Sequence, residues 1–243
     1  MLLLALALAP GFAIIFYFYL KDEFDREPFK NLLISFGLGV LSTIPAALIQ
    51  IYSESQLEHR LRPDSPLFYA LYAFLIVGLG EELCKFIMLR GYAYRKIAFN
   101  EPFDGIVYSV MVSMGFATLE NIFYVMEGGM STAIVRMFVS VPAHACFGVI
   151  MGYHVGLAKF DPPNGVKHLA IGVIQAAFFH GAFDFVLFLQ KSPVVVQFVS
   201  EGALFVCALI LLFFAIRLSR KSIRLHHELS RQNFERHNNQ LNG

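Results

Sequence analysis

Stretches of about 20 consecutive apolar residues, each long enough to carry a helix through a bilayer core about 30 Å thick, recur at about 2–20, 31–51, 67–89, 104–126, 132–157, 168–189 and 194–216. A chain in which such stretches take up most of 243 residues has no water-soluble way to bury them. Inside lipid the backbone must satisfy its own hydrogen bonds, which leaves helices or a closed barrel. Continuous apolar runs, without the alternation of barrel strands, decide for helices. The expected fold is all-α: a polytopic membrane bundle of about seven transmembrane helices. The composition agrees, with 57% hydrophobic and only 15% charged residues. A formal net charge of +1 and the lack of any nucleic-acid-binding motif argue against a nucleic-acid partner.

Lys21, Arg26 and Lys30 follow the first stretch, which has no basic segment before it, so it reads as an uncleaved helix with its N-terminus outside. Basic residues then collect on one side, at Arg90, Arg95, Lys96, Lys159, Lys167 and Arg217 onward. The other side has Arg60, Arg62 and Lys191 in its loops, with Arg136 near a helix end. The positive-inside rule makes the richer side cytoplasmic. The expectation is a multi-pass protein of the cell membrane with a cytoplasmic C-terminus. It has one transmembrane domain over residues 1–220 and a basic, polar cytoplasmic tail over 221–243.

Several stretches hold groups that hydrocarbon resists: Glu81, Glu82 and Lys85 in the third, Glu120 in the fourth, His144 and His154 in the fifth, His180 and Asp184 in the sixth. At roughly 2.5–3.5 kcal/mol for each charge near a helix centre, the five charged members would cost about 12–17 kcal/mol if left unpaired. They must face one another or water. Glu81 and Lys85 are one helical turn apart, as are His180 and Asp184. Ser140, His144, Gly148, Gly152 and Gly156 recur every four residues, a small-residue ridge that sets His144 on a helix interface. Pro142 predicts a kink beside His144. His154 lies off that ridge and reads as structural, and His59, His168, His226, His227 and His237 read as solvated or interfacial. Cys84, Cys146 and Cys207 have no paired spacing and read as packing residues.

Peptide hydrolysis needs an activated water, a polarised carbonyl and a proton donor for the leaving amine, and this set can supply all three. Glu81 is the preferred base, with Glu82 next. Lys85 balances their charge, Glu120 and His144 share in activating water, and His180 serves the oxyanion or the proton, its tautomer fixed by Asp184 or Asn121. Glu120, His144 and His180 would also make an acceptable two-histidine, one-carboxylate zinc set. No local zinc motif accompanies it, so metal-free chemistry is preferred and zinc stays open.

Gly80-Glu81-Glu82-Leu83-Cys84-Lys85, Phe116-Ala117-Thr118-Leu119-Glu120-Asn121, His144-Ala145 and His180-Gly181-Ala182-Phe183-Asp184-Phe185 resemble, in order, the four motifs of the PrsW family. That family sits in a larger group of intramembrane proteases that includes the type II CAAX prenyl endopeptidases. Ala9-Pro10-Gly11, Tyr19-Leu20-Lys21-Asp22 and Phe103-Asp104-Gly105-Ile106-Val107-Tyr108 extend the likeness. Glu120 stands where the prenyl endopeptidases have histidine, which favours the PrsW branch. The resemblance implies an endopeptidase that cuts a single-span anti-sigma factor outside its membrane segment, the site-1 step of an envelope stress response. The rival readings are a proton- or ion-coupled transporter, since such residues also build proton relays, and a scaffold with structural polar pairs.

Overall fold

The computed structural model describes residues 1–242, with side chains through Arg236. Among them there is no strand. The chain runs through α1 (Leu2–Lys21), α2 (Phe29–Glu58), α3 (Pro66–Leu71), a π-helical turn (Tyr72–Gly78) that leads directly into α4 (Leu79–Gly91), α5 (Pro102–Phe138), α6 (Ser140–Phe160), α7 (Gly165–Phe188) and α8 (Glu201–Asn242). Ser65 starts α3 by accepting the Phe68 amide at 3.2 Å, with Pro66 at the first helical position.

Among the described residues, six helical stretches are long and apolar enough to cross a membrane. The fourth, Pro102–Phe160, has 59 residues, about 90 Å of helix at 1.5 Å per residue and far beyond one crossing. It folds back on itself. Gly129 has φ 69° and ψ −152°, a conformation essentially confined to glycine, and Val139 breaks the helix again. Gly148, Gly152 and Gly156 of α6 then lie against Ser113, Gly105 and Pro102 of α5. One series rises as the other falls, so the two helices are antiparallel and in backbone contact. The expected small-residue ridge is therefore a real interface, and the count of about seven differs from six stretches only through this reversal.

The expected fifth span is corrected at its start. Residues 130–138 belong to the segment that folds back, and α6 begins at Ser140. Pro142 consequently sits in a first turn, where no intrahelical amide bond is required, and it opens the helix instead of kinking it.

Helix α5 is buried on all sides from Pro102 to Thr118, with α1, α2 and α6 packed around it. Gly39 of α2 and Gly115 of α5 stand against the backbones of Val112 and Phe36, so those helices also meet closely. The π-helical turn is seated on α7 in the same way, because a Cβ on Gly78 would come within 2.8 Å of the Ala177 carbonyl and the Gly181 amide. Outward faces carry exposed Phe12, Leu48, Ile51, Phe123, Phe178 and Phe213, as a lipid-facing surface requires. Helix α8 continues past residue 220, burying Ser222, His226 and Ser230 against the bundle. His226 is fully buried and packs on Tyr153, contrary to the solvated or interfacial expectation, because the helix end docks instead of leaving the bundle. His237 lies outside the described side chains.

Candidate active site

The π-helical turn delivers the start of α4 into the bundle, so Glu81, Glu82 and Lys85 project into the space between α5, α6 and α7. All three are buried. The Lys85 ammonium donates to Glu82 Oε1 at 2.8 Å and to Glu81 Oε2 at 3.3 Å, stands 3.3 Å from His144 Nδ1, and lies over the Phe116 ring. Glu82 Oε1 is also 2.9 Å from His180 Nδ1. His180 Nε2 is 3.2 Å from Asp184 Oδ2 and 3.8 Å from Glu81 Oε2. Phe147 stacks on the His180 ring, and the two imidazoles meet edge to face with centroids 5.0 Å apart.

On the other side of the cluster, Glu120 Oε2 is 2.9 Å from His144 Nε2 and accepts from Arg136 at 2.8 Å. Arg136 also donates through Nε to Asn121 Oδ1 at 2.8 Å, and Asn121 donates to the Ala7 carbonyl. Ser113 donates to the His144 carbonyl at 2.6 Å, which ties the start of α6 to α5.

Glu81, Glu82, Lys85, Glu120, His144, His180 and Asp184 thus form one connected group drawn from four helices. Asn121 joins it only through Arg136 and touches neither imidazole, so the expected fixing of His180 falls to Glu82 and Asp184. His154 bonds Gln175 at 3.0 Å, away from the cluster. Two members were missed. Gln50 donates to Glu81 Oε1 at 2.9 Å, and an uncharged amide in an apolar run is an easy signal to pass over. Arg136 arrives through the reversal at Gly129, and the glycine pair 128–129 was the available clue.

Glu81 and Glu120 both line a cavity of about 400 Å³, with Thr43, Ala47, Phe116 and Tyr124 among its other walls. The exposed Ile44, Leu48 and Phe123 at its rim make it a groove between α2 and α5 on the bundle's lateral, apolar face.

The donors fit a metal ion. Glu81, His144 and His180 each offer a ligand atom, all within 4.8 Å of one another. Of the set expected from sequence, His144 and His180 belong to this group, with Glu81 as its third member, while Glu120 is engaged by His144 Nε2 and Arg136. Carboxylates hold both imidazoles, His144 through Nε2 by Glu120 and His180 through Nδ1 by Glu82 and through Nε2 by Asp184, and carboxylate partners of this kind support metal-binding histidines. Four carboxylates (Glu81, Glu82, Glu120, Asp184) face two basic side chains (Lys85, Arg136). With neutral imidazoles, two negative charges are left over, the complement of a divalent cation. One carboxylate oxygen, Glu82 Oε2, is buried without a partner among the described residues.

The profile of the family described as "PrsW family intramembrane metalloprotease" matches residues 27–216. Among curated relatives, the protease PrsW of Geobacillus kaustophilus is 40% identical over 78% of this chain and 81% of its own length. That of Bacillus subtilis is 39% identical over 76% and 82%, and that of Clostridioides difficile 32% over 77% and 80%. No solved structure matches the chain. The family's description goes with the metal alternative of the sequence reading, not with its metal-free preference. With that match over most of its length, the chain is a membrane-embedded protease and belongs to the PrsW family.

Proposed function

We propose that this protease cuts a single-span membrane protein of the anti-sigma factor type on the outer side of the membrane, the site-1 step of an envelope stress response, using zinc held by Glu81, His144 and His180. The observation that carries this reading is the buried cluster of carboxylates and imidazoles opening, through Glu81 and Glu120, onto a lateral groove. A single-span helix reaches such a groove by diffusing in the membrane plane. The distribution of basic residues supports an outside N-terminus and a cytoplasmic C-terminus, an orientation in which the groove lies in the outer half of the bundle.

Bound zinc would polarise the scissile carbonyl and acidify water. Glu120, at the groove floor and only partly buried, takes the proton of the attacking water and passes it to the leaving amine. Arg136 balances its charge, and His144 Nε2 holds the carboxylate in place. Lys85 holds Glu81 and Glu82 together, which keeps His180 oriented through Nδ1. The base thereby moves from Glu81, the preferred residue by sequence, to Glu120.

The test is cleavage of a labelled single-span substrate in inverted membrane vesicles, with zinc content measured in parallel. Glu81→Gln and His180→Ala are expected to lose both zinc and activity. Glu120→Gln keeps zinc and falls by about 100-fold or more. The released fragment is trapped in the vesicle lumen. Full activity of Glu81→Gln and His180→Ala, or of chelator-stripped enzyme, would end this reading, and release of the fragment outside the vesicles would reverse the orientation.

A further inference from the structure

A second group of carboxylates, distinct from the cluster around His144 and His180, lies at the end of the bundle where the α1–α2 loop meets the start of α5. Asp22 and Asp104 are fully buried, and Glu27 and Glu101 nearly so. Part of each is used in building the turns. Asp22 Oδ2 accepts the Glu27 amide at 2.9 Å, and Asp104 Oδ2 accepts the Asn100 and Glu101 amides at 2.9 Å. Tyr108 donates to Glu27 Oε2. The other oxygen of each, Asp22 Oδ1, Glu27 Oε1, Glu101 Oε1 and Asp104 Oδ1, is buried with no partner among the described residues.

Nor does a basic side chain pair with any of the four among the described residues. Arg26 spends Nε on the carbonyl of Asp22, and Lys159 spends its ammonium on the carbonyls of Tyr94 and Lys96. Four unpaired buried carboxylates would repel one another strongly and carry a large desolvation cost. Yet the chain brings Asp22, Glu101 and Asp104 so close that one ligand atom from each lies within 4.8 Å of the others.

We infer that Asp22, Glu101 and Asp104, with Glu27 beside them, form a binding site for a hard divalent cation, calcium or magnesium, separate from the histidine cluster. The chemistry selects the class: every donor is an oxygen, with neither histidine nor thiolate, the set that suits calcium and magnesium. The ion joins three pieces of chain, namely the 22–28 loop, the turn before α5, and α8, whose Ser230 hydroxyl accepts the Phe103 amide at 3.3 Å. Burial pushes the Asp22 carboxyl up to about 6 and that of Glu101 up to about 7, the direction expected where counter-charge is lacking. A cation restores the ionised form, so binding strengthens as the pH rises.

The experiment uses the full-length protein in uncharged detergent, stripped with chelator near neutral pH and titrated separately with magnesium and calcium. At millimolar concentration one of these ions is expected to raise the melting temperature by several degrees and to bind at one ion per chain. The response is the same in the His144→Ala/His180→Ala variant. Asp22→Asn and Glu101→Gln weaken the binding at least tenfold and, before any cation is added, melt higher than wild type because each removes a repelling charge. The proposal is overturned if neither ion binds or stabilises the wild type, the outcome expected if protons neutralise the group. It is also overturned if the response disappears with the two histidines and survives Asp22→Asn. Direct binding to the wild type decides the matter even where a variant fails to fold.

Discussion

Arg136 holds the Glu120 carboxylate at 2.8 Å through one nitrogen and Asn121 at 2.8 Å through another, a forked grip that a lysine's single ammonium does not reproduce. Its loss leaves Glu120 without a counter-charge and His144 without a fixed partner. Arg136→Ala is therefore expected to lower kcat by about 10- to 100-fold, the usual effect of losing a supporting contact behind a metal ligand, while zinc stays bound. Arg136→Lys recovers part of the loss. Equal kcat values for wild type and Arg136→Ala would remove the residue from the site. At this scale the sequence was most legible where physics is harshest. Glu81, Glu82, Glu120, His144, His180 and Asp184 stood out because charge in hydrocarbon demands a reason. Gln50 and Arg136 did not, the first for being neutral and the second for lying near an expected helix end, where a basic residue is ordinary.

Helices were readable as lengths of apolar chain, and the break expected between residues 126 and 132 brackets the turn at Gly129. Hydropathy did not show that residues 130–138 belong to the reversal and not to the next span, so the fifth span was expected eight residues too early. The backbone at Gly129, with φ 69° and no atom within 4 Å of a built Cβ, isolates conformation from crowding. Gly129→Ala places a Cβ in a region that side chains avoid and is expected to destabilise the protein by about 1–3 kcal/mol. The same change shifts the 130–138 segment that carries Arg136, so activity falls with stability. Gly202, in the first turn of α8, also meets nothing within 4 Å and has no positive φ. Gly202→Ala is the control and leaves the melting temperature unchanged or slightly raised. Equal melting temperatures for the two variants would show that the turn at Gly129 is not what directs the chain back. The π-helical turn before Glu81 was equally hidden, because Gly78 and Gly181 read as ordinary membrane glycines until their contact is seen.

For the whole molecule, the opening of the cluster is a groove that faces sideways between α2 and α5. Its direction follows from burial. The interior of α5 is closed off by α1, α2 and α6, and only its stretch from Phe116 to Tyr124 reaches the cavity. A substrate that arrives from lipid must therefore pass Ile44, Leu48 and Phe123 before it meets Glu81 and Glu120. Ala47 is exposed on this path and lines the cavity. Ala47→Trp fills part of about 400 Å³ without touching a charged group or a packed interface, so zinc content and melting temperature stay at wild-type values. Cleavage of a single-span substrate falls at least tenfold, mainly through KM, because the chemistry is intact and the approach is not. Ile174→Trp, on the exposed face of α7, adds the same bulk to the lipid surface elsewhere and leaves the rate alone. If Ala47→Trp cleaves at the wild-type rate, the substrate does not enter between α2 and α5.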